Sequence, residues 1–345
     1  MQSKIYEIRG LKYKIMKKIM LCAMTCILVI VGTFCLASCK NDKEADIIST
    51  YFSGYDFTRA VVGDNDLTYS MLLTAGQEIH SYDPSVTDIK AVTKCKLFIY
   101  IGGESDEWVE SDILPEINKK KTTVISMFKI LEDAGVNLYE EEDPSSSDSE
   151  EEHGDGDVEY DEHVWTNPAY AKIIVNGIRD AIIALDSDNS ESYTVNALTY
   201  TNELDRIDSS YRSIVEASTN KMMVVADRFP LLYFVKAYGL SYDAAFNGCS
   251  SDTEASAKTI ASLVSKVEQY KLKYIFVIEL NETKIVANAI VDEIKQDSKN
   301  GSYDDVAPEI LTFYTMHNVS KKDFKKGVTY IDMSNKNIEA LTKAL

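Results

Sequence analysis

The chain has 345 residues, with 36 Lys and Arg against 55 Asp and Glu, a formal charge of -19, and 45% hydrophobic residues. That composition is globular, and the length accommodates two modest domains. The negative charge repels phosphate backbones, and the body of the chain has no lysine or arginine cluster of the kind that tracks nucleic acid, which argues against a nucleic-acid partner.

At the N-terminus, Lys4, Arg9, Lys12, Lys14, Lys17 and Lys18 precede an uncharged run from Ile19 to Ala37 that closes on Leu36-Ala37-Ser38-Cys39. A basic start, an apolar segment and small residues at its end describe a secretory signal. The cysteine directly after the small residues resembles a bacterial lipobox, in which Cys39 is lipidated and becomes the mature N-terminus. The alternative is an uncleaved membrane helix, because 19 apolar residues nearly span a bilayer. On either reading the body lies outside the cytoplasm, and on the first it is lipid-anchored to the outer face of the cell membrane. Removing residues 1–38 takes away six basic residues and one acidic, so the charge falls from -19 to -24. Cys22, Cys26 and Cys35 leave with the signal. Cys95 and Cys249, far apart in sequence, are expected to be buried thiols, not a disulfide or a metal cluster.

After a polar tether over 39–46, short apolar runs recur between helical patterns: Ile47 to Phe52, Leu67 to Leu73, Leu97 to Ile101, Thr122 to Met127, Met222 to Ala226, Tyr274 to Leu280 and Ile310 to Met316. Strands alternating with helices predict α/β architecture with parallel sheets covered on both faces. Asn167-Pro168 supplies a capping side chain and a proline at the first helical position, and apolar residues follow at helical spacing to Leu185. A longer helix is predicted over 189–216, where Tyr193, Ala197, Tyr200, Leu204, Ile207, Tyr211 and Ile214 step by threes and fours. At about 1.5 Å per residue it spans roughly 40 Å, long enough to join an N-terminal lobe over 47–188 to a C-terminal lobe over 217–345. A continuous linking helix resists hinge bending, so lobe motion is expected to be small. Between the lobes' strand groups, Glu140 to Glu162 holds thirteen acidic residues, no Lys or Arg, and His153. Such a segment buries no core; it reads either as a solvated insertion or as a weak cation-collecting loop.

Three of the four histidines fall beside strand ends or helix starts, where open parallel sheets place ligands. His80 lies in a loop after the second run, His163 precedes the capped helix, and His317 follows the last run. Neutral imidazole is a strong ligand for zinc and similar divalent metals, and four-coordinate zinc needs a further group. Asp227 and Glu279, at the ends of their runs, are the candidates. Each has a structural alternative: Asp227 as partner of Arg228 or as a cap, Glu279 as a support behind a histidine. Enzymatic readings find no His-Glu-x-x-His, Gly-x-Ser-x-Gly or phosphate-binding glycine loop, and no nucleophile is identified.

Four stretches carry a family resemblance: His80-Ser81-Tyr82-Asp83-Pro84, Gly102-Gly103-Glu104-Ser105-Asp106-Glu107-Trp108-Val109, Asp161-Glu162-His163-Val164-Trp165-Thr166-Asn167-Pro168, and Tyr233 through Leu240. In order and across nearly the whole mature chain, they resemble the zinc and manganese solute-binding lipoproteins of bacterial ABC importers. The resemblance places the first two metal histidines on His80 and His163. It places the third ligand in Asp227-Arg228-Phe229-Pro230, where this sequence departs from the family pattern, and the fourth close to His317. It implies two (βα) lobes joined by a long helix, a zinc ion in the cleft, an ABC permease as partner and a monomeric, non-enzymatic receptor. A manganese receptor of the same family and a surface adhesin with a structural metal are the alternatives.

Overall fold

The structure, a computed structural model, describes residues 44–77, 82–141, 160–248, 255–301 and 306–345, all within one compact unit. The first lobe holds β1 (Ile47–Ser49), α1 (Phe52–Val62), β2 (Tyr69–Met71), α2 (Val86–Val92), β3 (Leu97–Tyr100), β4 (Thr123–Ser126), α3 (Met127–Asp133) and α4 (Pro168–Leu185). Its four strands pair in parallel in the order β2-β1-β3-β4. Every residue of β1 and β3 is buried, as expected for strands covered on both faces. The helix α5 (Ser190–Ala217) leads to the second lobe, which contains β5 (Met222–Arg228), α6 (Leu232–Tyr238), β6 (Ser241–Phe246), α7 (Ala257–Tyr270), β7 (Tyr274–Ile278), α8 (Ile285–Asn300) and β8 (Glu309–Phe313). These strands are also parallel, in the order β6-β5-β7-β8. The chain closes with α9 (Lys321–Lys325) and α10 (Tyr330–Ala344).

The two-lobed α/β architecture with a long linking helix is the expected one. The helix α5 has 28 residues, and its buried side chains divide between two cores. Tyr193, Ala197, Tyr200 and Leu204 join the core of the first lobe; Ile207, Tyr211 and Val215 join the core on one face of the second sheet. One amphipathic stripe thus binds both lobes, and the seam passes between Leu204 and Ile207.

Two features differ from the sequence reading. The strand β6 was not expected, because Ser-Tyr-Asp-Ala-Ala-Phe is no apolar run. It is an edge strand with β5 as its one neighbour, and only Ala244 is fully buried. The second difference lies beyond β8. Residues 217–345 do not keep their apolar side chains to one lobe: Met316, Val319, Tyr330 and Met333 pack into the core of the first. The chain therefore crosses between lobes a second time, and the start of α10 is fixed to the first lobe by a hydrogen bond from the Tyr330 N–H to buried Asp56 (3.1 Å). Asp56 also accepts from the Tyr200 hydroxyl of α5 (2.9 Å) and from Arg59 Nε (2.8 Å). Cys95 is buried, and burial pushes its thiol up to about 12, as expected of an inert core thiol; Cys249 and Cys39 lie outside the described residues.

Candidate metal centre

The segment that carries His163 is set by its own hydrogen bonds before α4 begins. The Asp161 N–H donates to the Tyr139 carbonyl (2.9 Å), and the Thr166 N–H and hydroxyl both donate to the His163 carbonyl (3.0 and 2.7 Å). Asn167 then caps α4, its side chain accepting from the Ala169 N–H. His163 is fully buried. Asp161 Oδ1 accepts from the His163 backbone N–H (2.9 Å) and lies 3.2 Å from ring Nδ1. That contact engages Nδ1 and fixes the ring's orientation, the arrangement in which a carboxylate supports an imidazole that binds metal through its other nitrogen. Burial opposes the imidazolium, but the carboxylates of Asp161 and Glu162 outweigh it, so the His163 pKa is raised.

His317 arrives from the other lobe, where β8 ends at Phe313 and the chain turns at Met316, a buried non-glycine residue at φ 55°. Its ring centroid lies 4.8 Å from that of His163 at an interplanar angle of 88°. Trp165 packs against both rings, with centroids 5.5 Å from His163 and 5.3 Å from His317, and its indole N–H donates to the Thr315 carbonyl (2.8 Å). The Tyr330 hydroxyl donates in turn to the Trp165 carbonyl (2.7 Å). The two histidine-bearing segments are thus hydrogen-bonded to each other, not merely adjacent across a gap.

A third group joins them. One ligand atom each from Glu162, His163 and His317 lies within 4.8 Å of the others, and all three residues are buried. Ligand atoms about 2 Å from a tetrahedral zinc lie roughly 3.3 Å apart, so the set closes on an ion by small side-chain adjustments. Glu162 Oε2 accepts from the Ser105 N–H (3.1 Å), and Oε1 from the Ser105 hydroxyl. Gly103 makes that approach possible: a Cβ there would stand 2.6 Å from Glu162 Cβ and 2.7 Å from its Oε2. Desolvation raises the Glu162 pKa, and desolvation likewise pushes the neighbouring Asp106 carboxyl up to about 7. Buried acids held this way favour a divalent cation among them. Sequence reasoning passed over Glu162 because it sits inside an acidic run; its place beside His163 was the available signal.

The remaining candidates fall as follows. Glu279 bonds both the N–H and the hydroxyl of Thr315 (2.7 Å each), two residues before His317. Asp227 lies inside β5, not beyond it, and stands outside the Glu162, His163 and His317 group. Its carboxylate accepts from the Arg228 N–H (2.9 Å), the Ile278 N–H (3.2 Å) and the Asn281 amide (2.6 Å), which joins β5 to the end of β7. Arg228 lines the cleft with Gln77, Pro230, Gly248, Glu279 and His317. Gly248 comes from the second lobe to within 3.3 Å of His163 Cε1, measured from its ideal Cβ. His80 and His153 lie outside the described residues.

A family model described as zinc-uptake complex component A periplasmic (ZnuA) matches residues 47–344. The zinc-binding lipoprotein AdcA of Streptococcus pneumoniae is 31% identical over 335 residues, 94% of this chain and 60% of that protein. The high-affinity zinc uptake system protein ZnuA of Bacillus subtilis is 28% identical over 316 residues, 90% of each chain. The crystal structure of the Zn(II)-bound ZnuA-like domain of Streptococcus pneumoniae AdcA is similar with a TM-score of 0.64 at 26% identity, covering 87% of this chain and 98% of that one. This chain spans 56% to 60% of the length of the AdcA relatives. By fold, by the order of its elements and by the match across nearly all of its body, the chain belongs to the zinc-uptake complex component A family.

Proposed function

We propose that this chain is an extracytoplasmic receptor that captures zinc between its two lobes and delivers it to an ABC permease. The observation that carries the reading is the convergence of His163, His317 and Glu162 in a buried cleft, with Asp161 orienting the first imidazole. His163, His317 and Glu162 act as ligands, and His80 supplies the fourth. Three imidazoles with one carboxylate suit zinc over manganese, whose preference runs to oxygen ligands. A shell closed by protein groups, with no position kept for a reactive water, fits carriage of an ion and not catalysis.

In this reading Glu279 supports His317 through Thr315, and Asp227 serves the sheet. Cys39 carries the lipid that holds a monomeric receptor at the outer face of the membrane, and among the described residues no helix is long and apolar enough to cross it. Calorimetry with zinc and with manganese tests the site. The wild-type protein is expected to bind zinc more tightly than manganese, and the His163→Ala/His317→Ala double variant to lose zinc binding. Unchanged zinc affinity in that variant rejects the site.

A further inference from the structure

The buried stripe of α10 consists of Tyr330, Met333, Ser334, Asn337, Ala340 and Leu341. An asparagine at the centre of such a stripe is anomalous, because a leucine there would bury more apolar surface without a polar group to satisfy. Asn337 is 1% exposed, and its amide is fully used. Oδ1 accepts from the Tyr314 N–H at 2.7 Å, Nδ2 donates to the Tyr314 carbonyl at 2.6 Å, and Nδ2 also lies 3.9 Å from Met316 Sδ. The amide thus completes, in place of a neighbouring strand, the hydrogen bonds that Tyr314 would make in a sheet.

What it holds is the arch that carries His317. Beyond β8 the backbone leaves the sheet, and Met316 takes a left-handed conformation that a non-glycine residue keeps only when its surroundings impose it. Glu279 grips the arch at Thr315 from the second lobe. Asn337 grips it one residue earlier, from a helix whose first residue is bonded to Asp56 and Trp165 of the first lobe.

We infer that Asn337 is a positioning residue for zinc: by clamping Tyr314 it holds Met316 in its left-handed turn and so sets where the His317 imidazole stands relative to His163 and Glu162. The inference rests on the zinc reading proposed above. Removing a group bonded directly to a metal ligand typically costs about 10- to 100-fold in metal affinity, and Asn337, which acts through the backbone from Tyr314 to His317, is expected at the lower end of that range.

The test compares wild type, Asn337→Leu, Asn337→Asp and Ala340→Gly, all as the full-length protein in detergent. Ala340→Gly weakens α10 without touching Tyr314, so it controls for simple loss of helix stability. Zinc dissociation constants are measured by chelator competition, apo melting temperatures by calorimetry, and site geometry by the visible absorption of the cobalt(II) complex. Asn337→Leu is expected to raise the zinc dissociation constant by about tenfold and to alter the cobalt spectrum, while Ala340→Gly lowers the melting temperature and leaves both unchanged. Asn337→Asp keeps the acceptor for the Tyr314 N–H but loses the donor, and is expected to fall between; it decides the matter if the leucine variant does not fold. Wild-type affinity and a wild-type cobalt spectrum in the folded Asn337 variants overturn the inference. Failure of the wild-type protein to bind zinc overturns the function itself, a separate result.

Discussion

The imidazole of His163 stands edge-on to that of His317, 4.8 Å between centroids and 88° between planes, although 154 positions separate them and each arrives from a different lobe. Their segments are tied by the Trp165 indole bonding the Thr315 carbonyl and by the Tyr330 hydroxyl bonding the Trp165 carbonyl. Ties of this kind, made by protein groups alone, restrict both rings independently of the ion and so reduce the ordering that binding requires, which favours affinity.

Asp161 has two opposed effects on zinc. Its carboxylate orients His163, and it also raises the proton affinity of the same ring. Asp161→Asn is therefore expected to weaken zinc binding at pH 8 by about 10- to 100-fold. It is also expected to lower the pH at which affinity begins to fall from the variant's own high-pH plateau, since the ring pKa falls without the neighbouring charge. Zinc titrations from pH 5 to 8 on both proteins check this. An unchanged plateau affinity, or a fall-off that begins at higher pH than in the wild type, contradicts the assigned role.

Gly103 tests the carboxylate. A Cβ at this position meets Glu162 Cβ at 2.6 Å, closer than real side chains approach, and the buried Glu162 has the Ser105 clamp on its other side. Gly103→Ala is expected to displace Glu162, lower stability by about 1–3 kcal/mol and reduce zinc affinity at least tenfold. Gly248→Ala, whose Cβ would meet the Phe229 carbonyl oxygen at 3.2 Å and His163 Cε1 at 3.3 Å, asks for a shift of only a few tenths of an ångström and should cost less in both measurements. Denaturant unfolding of the apo proteins and chelator competition provide the two numbers. Wild-type zinc affinity in a folded Gly103→Ala protein would argue against Glu162 as a ligand.

How far the sequence discloses this centre depends on which signals are local. His163 and its capped helix were legible because Asn167-Pro168 is a strong helix start and the histidine sits just before it. The long helix was legible because its apolar stripe persists unbroken from Tyr193 to Val215. The strand β6 was not, since an edge strand needs no continuous apolar run, and neither was the return of Met316 to Met333 to the first core, because periodicity marks which face is buried but not which lobe buries it. Glu162 was hidden in a run of thirteen acids: its place beside His163 was the one local signal, and tertiary proximity to Ser105 and His317 is what separates it from its neighbours.

The apo and zinc-loaded forms should respond to pH in opposite senses. In the apo protein, Glu162 and Asp106 have raised pKa values, the latter about 7, both through desolvation. An acid whose folded pKa is raised loses stabilisation as pH climbs from its ordinary range near 4 through the folded value. His163 is also raised, so its contribution is fully present below about 6.5 and is lost as pH rises through the folded value. Apo stability from these groups therefore declines as pH climbs above about 4, through about 7 in the case of Asp106. Zinc binding strengthens over the same interval, because each proton on a ligand competes with the ion. The gap in melting temperature between the two forms is expected to widen steadily from pH 5 to 8. Calorimetric scans at fixed excess zinc measure it, and a gap that is flat or narrows over that range excludes this set of ligands.

Asp227 distinguishes a ligand from a sheet residue. Its carboxylate receives the N–H of Arg228, the N–H of Ile278 and the Asn281 amide, and it stands outside the group that His163 and His317 form. Asp227→Ala strands a buried N–H at the end of β7, which costs about 1–3 kcal/mol. Asp227→Asn keeps one acceptor and is expected to cost less. Neither change removes an atom from the centre, so zinc affinity should remain within about threefold of wild type in both. A ligand would give the reverse pattern, with a large loss of affinity in Asp227→Asn and little loss of apo stability. Measuring unfolding and zinc competition on this pair therefore separates the two roles, and a drop in affinity beyond tenfold without destabilisation would return Asp227 to the coordination shell.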